Sequence, residues 1–80
     1  MKSYKIYAIA SCGYCARLLQ AMINKKKTFY VEFLDDKQEL LENLKDKYQH
    51  RTVPIVILRE GNKETLIGGC EDALKILNKE

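Results

Sequence analysis

The chain has one proline, one histidine and three cysteines among its 80 residues. It has no apolar run near the roughly 18 residues that a membrane-spanning helix needs. Met1-Lys2-Ser3 leads straight into strand-like sequence, without the basic and apolar regions of a secretory leader, so a cytoplasmic protein is expected. An odd number of cysteines argues against a framework of structural disulfides. Zinc usually takes four ligands, such as two CxxC pairs or one CxxC with two histidines. One CxxC, a distant Cys70 and the single His50 do not make that set, and no metal is expected. The net charge of +3 is mild, and the one basic run, Lys25-Lys26-Lys27, falls where the first helix should end. Cations there complement a helix C-terminus, and the broad basic face of a nucleic-acid binder is missing. Repeats, linkers and low-complexity segments are absent too. One domain over residues 1–80 is therefore expected, with a thin core, since a chain of this size buries only about 60% of its unfolded surface.

What is present is a regular alternation of strand and helix patterns. Residues 4–9 alternate and are rich in strand formers. Cys15, Leu18, Leu19, Met22 and Ile23 then fall on one face of a helix running from about Gly13 to Lys26. Thr28 to Leu34 is dense in aromatic and β-branched residues and reads as a second strand. Asp36, followed by Glu39, resembles a capping box for a second helix carrying Leu40, Leu41, Leu44 and Tyr48. Residues 53–58 form a third strand with Pro54 near its start, where a strand tolerates proline. A turn at 60–63 leads to a short fourth strand at 65–67, so the pair reads as an antiparallel hairpin. Gly68-Gly69 breaks that strand, and Ala73, Leu74, Ile76 and Leu77 make a final helix with Glu71 and Asp72 in its first turn. The order β-α-β-α-β-β-α implies an α/β fold: a parallel first crossover and a four-stranded mixed sheet with helices on both faces.

Cys12-Gly13-Tyr14-Cys15 lies at the first strand-to-helix junction, the layout of a thiol–disulfide exchanger in a chain otherwise poor in cysteine. Unpaired N–H groups and the positive end of the helix dipole favour a thiolate there. Cys12, nearer the loop tip, is the expected nucleophile. Cys15 begins the buried stripe and is the expected resolving thiol, which closes a Cys12–Cys15 disulfide. Gly13 adds backbone freedom at the helix start. Tyr14 is either spare surface or a wall for a small thiol ligand. Arg17, one turn on, is either a solvated charge or a cation that holds a thiolate or a ligand carboxylate.

Three separated motifs, Cys12-Gly13-Tyr14-Cys15, Thr52-Val53-Pro54 and Gly68-Gly69-Cys70-Glu71-Asp72, together resemble the glutaredoxin family over nearly the whole chain. The resemblance implies a thioredoxin fold and reduction of protein disulfides and glutathione mixed disulfides, with glutathione as the recycling reductant and no tightly bound cofactor. It implies that Cys12 carries the glutathionyl group, that Tyr14 lines the cleft, and that Val53, ahead of a cis Pro54, pairs through its backbone with the cysteinyl part of glutathione. The Gly68-Gly69 turn with Cys70, Glu71 and Asp72 would bind the γ-glutamyl end, Asp72 ahead of Glu71 as the acid that meets the ammonium. Arg51, Lys37 or Gln38 would meet the glycine carboxylate. A monomer is implied, with ribonucleotide reductase as a client.

The pattern departs from the family in three places. Gly13 stands where dithiol members commonly carry proline, and some members lacking that proline bind a [2Fe-2S] cluster between two subunits with glutathione. Ile9 stands where many carry a lysine, three positions before the nucleophile. Cys70 is a third thiol, read as a small packed residue rather than a redox partner. Two rival functions follow: a redoxin recharged by thioredoxin reductase, and an iron–sulfur carrier using Cys12 from each of two chains.

Overall fold

The computed structural model describes residues 2–79. The order is β1 (Lys2–Ala8), α1 (Gly13–Asn24), β2 (Phe29–Phe33), α2 (Gln38–Tyr48), β3 (Ile55–Glu60), β4 (Lys63–Gly68) and α3 (Cys70–Lys79). One mixed sheet has the strand order β2-β1-β3-β4. β1 pairs parallel to β2, with Ile6 opposite Val31, and antiparallel to β3, with Ile6 opposite Val56. β3 and β4 form the antiparallel hairpin, with an irregularity between Val56 and Ile57. The expected α/β architecture is the observed one.

The period-2 pattern of β1 divides the molecule into two cores. Tyr4, Ile6 and Ala8 point to one face, where they meet Cys15, Leu18 and Met22 of α1 and Cys70, Ala73 and Leu77 of α3. Tyr7 and Ile9 point to the other, against Leu34, Leu41 and Leu44 of the α2 side and Ile55. Val53 touches both cores at the end of the sheet where β1 runs into α1. That end carries the candidate site.

Several boundaries differ from the sequence expectation. β1 starts at Lys2, because its antiparallel register with β3 continues to Glu60. Ile9 falls outside it. α1 stops at Asn24, and Lys26 takes a positive φ of 55° there, so the basic run follows the helix instead of closing its last turn. The capping box at Asp36 does not form: Lys37 is the N-cap of α2 and no side chain caps it. The carboxylate one position earlier, Asp35, accepts the Ala10 N–H at 3.1 Å and so ties the start of α2 to the loop before Cys12. Ile23 and Leu40, placed on buried stripes by their spacing, are exposed. Val53 and Pro54 precede β3 rather than opening it.

Candidate active site

Cys12 is the N-cap of α1, with extended backbone (φ −86°, ψ 118°). Its N–H donates to the Ile9 carbonyl at 3.1 Å and its carbonyl accepts from Ala16 at 3.2 Å, so a tight turn opens directly into the helix. The side chain is half-buried, and the Sγ donates to the Val53 carbonyl oxygen at 3.8 Å, bridging 41 residues of sequence. The Val53–Pro54 bond is cis, as the resemblance implied.

The two thiols of the CxxC sit in opposed environments. Desolvation alone would raise the Cys12 pKa, but the Cys15 backbone, the Cys15 thiol and the Tyr14 backbone donate to its sulfur and together leave it below the ordinary cysteine value. The two backbone N–H groups are orphan donors of a helix start, which stabilise an anion. Cys15 is 1% exposed. Burial pushes its thiol up to about 11; a backbone hydrogen bond from Ile9 opposes this, while the hydrogen bond to Cys12 and the nearby sulfurs of Cys12 and Cys70 add to it. All three cysteines are free thiols in the structure.

Cys70, the first residue of α3, is buried in the core that α3 shares with α1. Burial raises its pKa first, Glu71 and Cys12 add to the rise, and the Arg17 guanidinium offsets part of it. Arg17 thus acts on Cys70; it does not figure among the groups that set Cys12. Tyr14 is 60% exposed beside Cys12. Gly13 has open space where a Cβ would lie and no positive φ, so the backbone freedom expected of it is not required at this position.

Behind the thiols, the Gly68-Gly69 turn lies against residues 50–54. Gly68 has φ +125°, and a Cβ there would run into the Asp72 carboxylate, so this position requires glycine. Asp72 Oδ2 accepts the Gly69 N–H at 3.4 Å. A Cβ on Gly69 would lie 3.4 Å from His50 Nε2 and 3.8 Å from the Pro54 carbonyl oxygen. Thr52 Oγ1 and His50 Nε2 are 3.3 Å apart. The Thr52-Val53-Pro54 and Gly68–Asp72 segments are therefore brought together, with Glu71 exposed at the edge.

The three groups expected at a ligand carboxylate are all engaged within the chain. Arg51 pairs with Asp46 at 3.0 Å, Lys37 with Glu32 at 3.4 Å, and Gln38 donates to the Asp35 carbonyl at 3.1 Å. Two residues with structural claims on the site, Asp35 and His50, carried no signal in the sequence. Their partners Ala10 and Gly69 are remote in the chain and were recognisable only after folding. Among the described residues no group of three or more His, Cys, Asp or Glu is placed to hold a metal ion.

A model of the glutaredoxin family matches residues 4–61. The chain belongs to the glutaredoxin family. Among solved structures it is similar to a wheat glutaredoxin, at 25% identity and a TM-score of 0.80, covering 96% of this chain and 71% of that one. It is similar also to the dithiolic glutaredoxin 2-C-Grx1 of Trypanosoma brucei brucei, at 26% identity and a TM-score of 0.75, covering 95% and 76%. NrdH-redoxin from Escherichia coli shares the fold at 23% identity, with a TM-score of 0.69 over 96% and 92% of the two chains. No curated protein matches the sequence significantly. As a glutaredoxin, the chain is a thiol–disulfide oxidoreductase.

Proposed function

We propose that this glutaredoxin reduces protein disulfides and glutathione mixed disulfides with glutathione as its reductant, Cys12 attacking and Cys15 resolving. The observation that carries the reading is the pair of opposed thiols three residues apart, with the lowered one directed at the Val53 carbonyl. The Cys12 thiolate attacks the glutathionyl sulfur of a mixed disulfide, the protein thiolate leaves and takes up a proton, and Cys12 carries the glutathionyl group. The thiolate of a second glutathione attacks that sulfur, so oxidised glutathione leaves and Cys12 returns as thiolate.

On a protein disulfide the same attack leaves the client joined to Cys12. Cys12 then bears no charge, so its share in raising the Cys15 pKa disappears. Cys15 gives its proton to the departing client thiolate and attacks the Cys12 sulfur. The client leaves reduced and the Cys12–Cys15 disulfide closes. Two glutathione thiols reopen it, giving oxidised glutathione. The backbone of Val53 and the Gly69–Asp72 turn are the elements we assign to the cysteinyl and γ-glutamyl parts, with Tyr14 as the outer wall. Ribonucleotide reductase is one client of the disulfide class to which this cycle applies.

The test is turnover of a glutathionylated peptide coupled to glutathione reductase, beside the same protein coupled to thioredoxin reductase. Turnover only with glutathione is expected. Turnover only with thioredoxin reductase replaces glutathione by another electron source, and visible absorbance of a dimer purified without air moves the chain to cluster transfer.

A further inference from the structure

His50 is the chain's one histidine, and no step of the thiol chemistry uses it. Its position follows from the end of α2. Gln49 adopts a left-handed conformation (φ 51°), its N–H donates to the Asp46 carbonyl, and the His50 N–H donates to Lys45 at 3.0 Å. This paired closure of a helix C-terminus turns the chain sharply out of the helix. His50 therefore leaves α2 on a fixed heading, two residues before Thr52, with its ring half-buried.

The ring occupies a specific gap. On one side Nε2 is 3.3 Å from the Thr52 hydroxyl. On the other, Nε2 and Cε1 lie 3.4 and 3.6 Å from where a Gly69 Cβ would be. A methyl at 69 would meet the ring at ordinary van der Waals distance, so the imidazole lies directly alongside the turn. The imidazole therefore spans the two segments that form the cleft beside Cys12, fixing the residue before Val53 and backing the turn before Cys70. Among the described residues no side-chain hydrogen bond or ion pair joins the two segments: Asp72 bonds within its own turn, and Arg51 is drawn off to Asp46.

We propose that His50 is a positioning residue of the glutathione cleft: it holds Thr52-Val53-Pro54 and Gly68-Gly69 at the spacing that a bound γ-glutamyl-cysteinyl unit requires. It touches no reacting atom and acts on binding through Thr52 and Gly69. The proposal rests on the glutathione reading above.

The test compares the full chain with His50→Ala and His50→Gln, using a glutathionylated peptide, glutathione and glutathione reductase. Alkylation of Cys12 by iodoacetamide is followed in parallel. Losing one neutral hydrogen bond should raise KM for the peptide about fivefold in His50→Ala, with kcat and the Cys12 alkylation rate unchanged. The Gln amide reaches Thr52 from the same position, so His50→Gln should restore most of the lost affinity. Thr52→Val should reproduce the KM increase, and combining it with His50→Ala should add nothing further.

An unchanged KM in His50→Ala overturns the proposal. So does a parallel fall in kcat and alkylation, which marks a general loss of structure, or a failure of His50→Gln to restore binding. A wild-type protein that does not turn over with glutathione refutes the functional reading and removes this inference with it. A wild-type protein that turns over normally beside an indifferent His50→Ala refutes the inference alone.

Discussion

The thiol half of the site and its charged outskirts are built differently. Around Cys12 the partners belong mostly to the backbone: the N–H groups of Tyr14 and Cys15, and the Val53 carbonyl fixed from across the sheet. The two N–H groups are already in place when charge develops, so the lowering of the Cys12 pKa comes largely from the fold itself. The Val53 carbonyl accepts from the thiol form and has no part in it. Arg51, Lys37 and Gln38 are instead held by side-chain acids and a loop carbonyl near the surface. Exposed pairs of this kind are worth only about 0–1 kcal/mol, so a ligand carboxylate can compete for them. On the proposed function, reactivity is preset by the fold, whereas recognition is exchangeable.

The largest expected effect breaks the symmetry between the two thiols. At neutral pH iodoacetamide should modify Cys12 and spare Cys15, because a half-buried thiol with a lowered pKa is more ionised and more accessible than a buried one pushed up to about 11. Raising the pH toward 11 should bring Cys15 into reaction, as peptide mapping of the alkylated chain would show. Equal labelling at neutral pH would remove the distinction between attacker and resolver.

Next in size is Gly68→Ala. At φ +125° and against the Asp72 carboxylate, the added methyl should cost at least about 1–3 kcal/mol of backbone strain, measured by urea unfolding. An unaffected midpoint would mean that the turn relaxes freely around an added side chain. Gly13→Pro should act in the opposite direction. Gly13 is the first residue of α1, Cys12 before it is already extended, and the space beyond is open. Proline fits such a position and should stabilise the chain by about 0.4–1 kcal/mol.

The smallest effect tests the exchangeable half. Asp46→Asn releases Arg51 from its ion pair, and KM for a glutathionylated peptide should fall about twofold, the value of one exposed pair, with kcat unchanged. A KM that does not move would take Arg51 out of the cleft.

Much of the fold was legible because two periodicities dominate this short chain. Tyr4, Ile6 and Ala8 alternate as a strand, and Cys15, Leu18 and Met22 recur as a helix, so element order and sheet class followed from spacing alone. Spacing failed at the edges of each stripe. Ile23 sits one position beyond the fully buried Met22 and turns out exposed at 57%, because the apolar arc of α1 is narrower than its hydrophobic residues suggest. The cap of α2 failed for a different reason. The expected acid, Asp36, makes no cap and Lys37 takes the N-cap position, while the neighbouring Asp35 reaches the Ala10 N–H, 25 residues away. Local pattern does not encode that contact. The candidate site divides in the same way: the CxxC and the Gly68 turn are contiguous motifs, while the His50 link to Gly69 exists only once α2 and β4 have ended side by side.

Serine replacements separate the roles proposed for Cys12 as attacker and Cys15 as resolver. Cys15→Ser should still remove glutathione from a glutathionylated peptide but lose most reduction of a protein disulfide, while Cys12→Ser should lose both activities. Retained turnover by Cys12→Ser with glutathione and glutathione reductase would contradict the account.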